Sequence, residues 1–326
     1  MRDFRIDNAK GILIFLVVLG HFLESFGGWK NEVLHPVLVA IYMFHMPAFV
    51  FLSGVTAKCS RLVSRIAILF VVLLVFHIAY SLPLLIEGKG GWTVFVKPYW
   101  FLWYLLAMIW WLAFLPIFIR LPGAFLISIA ISLLAGFLPW DGYLLSYLRA
   151  LVFLPFFVLG ARHGEKILQF LSQRKIGYAQ MAGVFLACVA LTHSLNLDKR
   201  WLYGSFGYGE LAPGSALSAC LIRVALILCA LLSTAALLAL VPSKKTRVTK
   251  LGEFSLAVFL LHGFAVLMGG KILWIIPAKF GSVTTLAVAI VVALLVTVAL
   301  AQSFFDQAIR NGAAKLASGI LGKKAM

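Results

Sequence analysis

Residues 10–26 read KGILIFLVVLGHFLESF, an apolar run interrupted by His21 and Glu24. A helix that crosses a bilayer takes roughly 20 apolar residues, and an ionisable side chain near its centre costs about 2.5–3.5 kcal/mol on insertion scales. The run therefore predicts a membrane-spanning helix whose two polar residues are either shielded or used. At about 100° per residue, Asp7, Lys10, Ile14, Val17, His21 and Glu24 fall on one stripe. At ~1.5 Å per residue, His21 sits about 16 Å along the axis from Lys10.

Segments of the same kind recur near 34–54, 63–86, 99–119, 121–138, 147–161, 176–194, 215–241, 252–270 and 283–304, making ten with 11–27. Of the 326 residues, 63% are hydrophobic and 12% charged, and the mean hydropathy is +1.04, far from the balance of a soluble domain. The expected fold is all-α, a polytopic membrane protein with about ten transmembrane helices around a central cavity. Segments 121–138 and 147–161 are short and need tilt or a neighbour's help. Connections of about twenty residues or fewer leave no room for a soluble domain, so residues 1–326 are expected to form one transmembrane domain. No internal repeat of the transporter type is visible.

The net charge of +17 resembles a nucleic-acid signal until its placement is considered. With a cytoplasmic N-terminus and alternating connections, 19 of the 28 Lys and Arg fall inside, 7 outside, and Arg149 and Arg223 within spans. That asymmetry follows the positive-inside rule. It predicts a multi-pass protein of a bacterial inner (cytoplasmic) membrane with both termini cytoplasmic, and no nucleic-acid partner. Cys59, Cys188, Cys220 and Cys229 show no CxxC spacing, so neither a disulfide framework nor a metal site is expected. Because the first span carries His21 and Glu24 and no small-residue cleavage site follows, it is expected to be retained.

On the first helix, Glu24 is placed to accept a hydrogen bond from one ring nitrogen of His21 and leave the other as a base. A phosphate near Lys10 would deliver a thioester close to His21, since the separation matches an extended pantetheine arm. Spacing alone leaves three uses open: an acyl-transfer base, a proton relay of a transporter or flippase for a lipid-linked sugar, and polar glue between helices. A non-catalytic scaffold fits poorly with so many intramembrane ionisable residues. In YMFHMPAFVFLSGVTAK, residues 42–58, His45 precedes Pro47, which is expected to kink the helix, while Ser53 and Gly54 permit close helix contact. His45 fits a structural role and a site role equally. The outer connection 197–214 carries Trp201, Tyr203, Phe206 and Tyr208, which suit an interfacial belt or a sugar-stacking surface.

Five stretches, RIDNAKGILIFLVVLGHFLE, FHMPAFVFLSG, YWFLWYLLAMIWW, FLPFFVLG and GEFSLAVFLLHG, occur in the order seen in the acyltransferase 3 family, and the chain resembles its fucose 4-O-acetylase-like branch. The resemblance implies a membrane O-acyltransferase that takes an acyl group, usually acetyl, from cytoplasmic acyl-CoA and delivers it to a hydroxyl of a saccharide or glycolipid. Acyl-CoA is then a donor substrate, with no permanently bound cofactor. The family pattern of a basic residue, ten intervening residues and an essential His falls on Lys10 and His21. Lysine there keeps the charge but loses arginine's bidentate fork. The family's arginine pair falls on Arg61 and Arg65 of SRLVSRIAILF, with Arg61 one residue out of the usual spacing. These bind CoA phosphates by resemblance and serve as topology anchors by position. Arg149 and His262 are further pocket candidates; their alternatives are snorkelling to the headgroups and helix-packing glue.

Overall fold

A computed structural model describes the backbone of residues 3–88, 91, 96–173, 178–212, 214–273 and 275–322, and the side chains of these except 172–173 and 271–279. Of the charges used for topology, Arg2, Lys89, Arg174, Lys175, Lys323 and Lys324 lie outside the described residues. Every regular element among those described is a helix. In hydrocarbon a backbone satisfies its own polar groups most simply in this way.

The principal helices are α1 (Arg5–Ser25), α2 (Leu34–Thr56), α3 (Leu62–Ile86), α4 (Trp103–Arg120), α5 (Ala124–Ala135), α6 (Tyr147–Val152), α7 (Leu154–Gln173), α8 (Tyr178–Ser194), α9 (Ala216–Leu240), α10 (Thr249–Glu253), α11 (Ser255–Leu273), α12 (Ile275–Leu300) and α13 (Ser303–Leu321). Among the described residues six helices are long and apolar enough to cross a membrane, and the bent pair α6–α7 makes a seventh if it forms one span. Three shorter apolar helices, Ala124–Ala135, Tyr178–Ser194 and Ser255–Gly270, match the other expected segments. The protein is a multi-pass membrane protein of the all-α class.

Two local features depart from the sequence reading. The segment expected over 147–161 is bent by 54° between α6 and α7, where Pro155 enters the first turn of the second helix and supplies no N–H. The helix α2 continues through Pro47. Beyond the last apolar run, α13 is a further helix with Asp306, Arg310 and Lys315 spaced through it; a search for apolar stretches passes over it.

The chain divides into two compact units. The first comprises Met1–Leu52, Glu165–Leu202 and Ala225–Asp306; the second comprises Ser53–Gly164, Tyr203–Val224 and Gln307–Met326. In the first unit α1 packs on α10, α11 and α12. The approach to α10 is backbone on backbone: a Cβ at Gly252 would lie 1.7 Å from the Asp7 carbonyl oxygen, and one at Gly11 would lie 2.2 Å from that of Val248. Asn8, fully buried, clamps the same junction. Its amide donates to the Pro242 and Lys244 carbonyls at 2.8 Å each, and its oxygen accepts from the Thr246 and Thr249 hydroxyls at 2.9 and 2.5 Å. Buried polar groups tolerate such a setting only when all are satisfied.

In the second unit α3 packs on α4, and α6 packs on α4 and α5. Gly54 meets α7 as its sequence predicts, since a Cβ there would lie 2.2 Å from the Phe157 carbonyl oxygen. Beside it, the Ser53 and Tyr104 hydroxyls lie 2.5 Å apart. Tyr208 is buried against Phe137 and over Gly136, and in the first unit Trp201 is buried too. Neither ring is an exposed sugar platform or a lipid-facing belt.

Candidate active site

The first unit brings His21, Glu24, His45 and His262 together. Glu24 lies on the last turn of α1, one turn beyond His21, and His21 Nδ1 donates to Glu24 Oε2 at 3.2 Å. A carboxylate only accepts, so Nδ1 carries a proton, and in the neutral ring the lone pair is on Nε2. The two side chains keep 11% and 18% of their surface exposed, so the pair is shielded without being sealed.

Two residues that the sequence reading passed over complete the cluster. The Tyr42 hydroxyl donates to Glu24 Oε2 at 2.5 Å and lies 3.3 Å from His21 Nδ1. Trp29 Nε1 donates to Glu24 Oε1 at 2.8 Å. Both follow from local chain geometry. Gly27 takes φ +74° just after α1, and the one-turn helix Gly28–Lys30 folds Trp29 back toward Glu24. Gly28 permits the turn because a Cβ there would lie 2.7 Å from the Leu23 carbonyl oxygen. Asn31 then starts α2 by accepting from the Val33 and Leu34 amides at 3.0 and 3.1 Å, which fixes Tyr42 two turns along. The signal was present in the Gly-Gly-Trp triplet three residues after Glu24.

Each of the other two histidines bonds to the backbone of its own helix. His45 is buried, and its Nδ1 donates to the Ile41 carbonyl one turn back at 2.7 Å. His262, also buried, donates from Nδ1 to the Val258 and Phe259 carbonyls at 3.0 and 2.8 Å. All three bonds stay within the residue's own helix. From α11 the His262 ring stacks on His21 with centroids 5.4 Å apart and planes 19° from parallel. The Tyr42 ring meets His45 edge-on at 4.9 Å.

Lys10 is half-buried near the start of α1, but Ile14 and Val17 on the same stripe are 0% and 3% exposed. A carrier arm joining Lys10 to His21 would therefore run beside the stripe and not over it. Arg61, Arg65 and Arg149 belong to the second unit. Arg61 is exposed at the start of α3 with φ +53°, and Arg65, one turn on, donates to the Lys58 carbonyl at 3.2 Å. Lys58, Arg61 and Arg65 thus make one basic turn. The Arg149 guanidinium lies over the Trp103 and Tyr143 rings at 5.2 and 5.1 Å and donates to Ser205 Oγ at 3.3 Å. Outside the spans, Lys97 pairs with Asp141, whose carboxyl is held below the usual range by that ammonium and by the Tyr143 amide. Among the described residues no group of three His, Cys, Asp or Glu side chains is placed to hold a metal ion.

This cluster provides an oriented imidazole with a carboxylate behind it, the arrangement of a general base. Two curated relatives match short stretches. "Nodulation protein NolL" of Sinorhizobium fredii is 51% identical over 59 residues, 18% of this chain and 16% of its own length. The protein of the same name from Mesorhizobium japonicum is 49% identical over 55 residues, 16% of this chain and 15% of its own. The matched stretch thus spans about a sixth of each relative. No solved structure matches the chain. A family model described as "Acyltransferase domain" matches residues 3–302, nearly the whole sequence and all of the cluster around His21. The chain belongs to the acyltransferase 3 family.

Proposed function

We propose that the protein is a membrane O-acyltransferase that moves an acyl group, most simply acetyl, from cytoplasmic acyl-CoA to a hydroxyl of a saccharide or lipid-linked saccharide. The observation that carries this is the hydrogen bond from His21 Nδ1 to Glu24, which leaves Nε2 as a base. In the reaction Nε2 takes the proton of the acceptor hydroxyl as its oxygen attacks the thioester carbonyl carbon. The C–O bond forms, the C–S bond breaks, and the imidazolium returns the proton to the departing thiolate. Glu24 balances the transient positive charge on the ring.

Lys10 and the basic turn of Arg61 and Arg65 are assigned to the phosphates of CoA, a positioning role. Family membership and the placement of basic residues support a bacterial cytoplasmic membrane with both termini on the inner side.

Purified protein in lipid nanodiscs, given radiolabelled acetyl-CoA and a glycolipid extract, is expected to release CoA and label a saccharide as an O-acetyl ester. His21→Ala at normal membrane levels is expected to abolish the label. Labelling that persists in this variant removes His21 from the mechanism, and pH-gradient-driven movement of substrate without acyl-CoA consumption replaces the enzyme with a transporter.

A further inference from the structure

Three donors converge on one carboxylate in the cluster. Glu24 Oε2 accepts from His21 and from Tyr42, and Oε1 accepts from Trp29. A carboxylate on the last turn of a helix has side-chain freedom to swing away from the imidazole. Donors from two other segments, α2 and the turn after α1, take both oxygens and remove that freedom.

Of the two donors, Tyr42 makes the shorter bond and shares its acceptor oxygen with His21. Its ring is 8% exposed. It meets His21, Trp29 and His45 edge-on, with centroids 6.4, 5.4 and 4.9 Å away. Gly20 leaves room for it, since a Cβ there would lie 3.1 Å from the Tyr42 ring. The hydroxyl is thus delivered to Oε2 by a ring with little space to move. Among the described residues, the titratable groups facing His21 are Glu24 on α1, Tyr42 and His45 on α2, and His262 on α11. Within this set Tyr42 is the one that bonds the same carboxylate oxygen as the imidazole.

We propose that Tyr42 is a positioning residue of this site: its hydroxyl fixes Glu24 in the orientation that keeps the His21 proton on Nδ1 and the lone pair on Nε2. Its catalytic consequence rests on the acyltransferase assignment; its effect on the tautomer does not. Losing the hydroxyl frees Oε2 to turn away from the ring. The imidazole is then no longer obliged to present Nδ1–H, and the base is correctly oriented for a smaller share of the time.

The test is a double-mutant cycle with a spectroscopic arm. In nanodiscs with acetyl-CoA and a glycolipid extract, Tyr42→Phe is expected to lower kcat roughly 10- to 100-fold, the range for one lost hydrogen bond to a charged group. The KM for acetyl-CoA is expected to stay within about twofold. In a Glu24→Gln background the same change is expected to cost little more, because Tyr42 acts through Glu24.

Nitrogen-15 spectra of histidine-labelled protein, with His21 assigned by its loss in His21→Ala, are expected to show the Nδ1–H tautomer in the parent and a mixture in Tyr42→Phe. A tautomer unchanged by Tyr42→Phe, or a kcat loss that multiplies in full upon that of Glu24→Gln, overturns the proposal. Should the protein transfer no acyl group, the spectra still decide whether Tyr42 positions the ring.

Discussion

The imidazole of His262 lies stacked on that of His21, 5.4 Å between centroids and 19° between planes, while its own Nδ1 is bonded within α11. A contact between α11 and α1 at this depth is therefore made by a ring face. Replacing His262 by Ala removes a fully buried side chain and should lower stability by about 2–4 kcal/mol through the cavity left beside His21. His262→Phe keeps a ring of similar size and should stay within about 1 kcal/mol of the parent, the net worth of an ordinary hydrogen bond. Thermal unfolding of the two variants in the same detergent checks the order, and equal losses would show that the nitrogen matters more than the ring.

His21 and Glu24 should separate chemistry from folding. Their side chains are partly exposed and pair with each other, one turn apart. His21→Asn and Glu24→Gln leave shape and most packing intact. Removal of a general base costs typically 10²–10⁴-fold, so His21→Asn should lose transfer activity on that scale. Glu24→Gln keeps the ring but replaces a charged acceptor with a neutral one, and a smaller loss of about 10- to 100-fold is expected. Initial rates of CoA release at matched protein levels measure both.

The span pattern and the His21–Glu24 pair were legible because each rests on spacing along one helix. Hydrophobic length gives the spans, and an i, i+3 separation places a carboxylate over a ring. Tyr42 and Trp29 were not legible in this way. Their place beside Glu24 depends on the Gly27–Gly28 turn and on how α2 returns alongside α1, a tertiary property. The same holds for Asn8: in sequence it is one polar residue near a helix start, yet four partners from residues 242–249 surround it. The rings beside Arg149, Trp103 and Tyr143, lie far from it in sequence or on the preceding loop, so spacing along one helix does not reveal them. The C-terminal helix α13 escaped because its polar residues interrupt every apolar run.

The Asn8 clamp predicts a stability effect away from the site. Asn8→Ala leaves two carbonyls and two threonine hydroxyls at the α1–α10 junction without their shared partner. Each buried group left unsatisfied costs about 1–3 kcal/mol, although water entry near the end of α1 would relieve part of this. A loss of about 2–4 kcal/mol is expected, and Asn8→Asp should also be impaired, because it substitutes acceptors for the two N–H donors. Chemical unfolding in detergent is the measurement; a variant as stable as the parent would mean the clamp contributes no net energy.

Lys97 and Asp141 offer a pH test outside the spans. The Asp141 carboxyl is held below its ordinary range, first by the hydrogen bond from Lys97 and then by the Tyr143 amide. A carboxyl depressed on folding contributes stability above its unfolded pKa and loses it as pH falls through the folded one. The contribution should therefore be present at neutral pH and fade in the acid range below about 4. With side chains 35% and 49% exposed, solvent screening limits it to roughly 0–1 kcal/mol. Asp141→Asn should lower the neutral-pH unfolding temperature slightly and flatten its decline in acid, and high salt should shrink the difference.

The basic turn of the second unit separates two uses of the same residues. Arg61 and Arg65 stand one turn apart, with Arg65 held to the Lys58 carbonyl. Topology anchors act through charge near a span's end, and lysine serves as well as arginine there. Phosphate ligands of the donor depend on the fork of each guanidinium, which lysine lacks. Lysine substitution at both positions should therefore raise the KM for acetyl-CoA about tenfold or more and leave kcat nearly unchanged, as expected when binding common to ground and transition states is lost. Membrane level and accessibility of the termini to protease should stay at parent values. A KM that does not move in the double lysine variant, with a topology that fails in the double alanine variant, would assign the turn to insertion alone and require the phosphates of the donor to be held elsewhere.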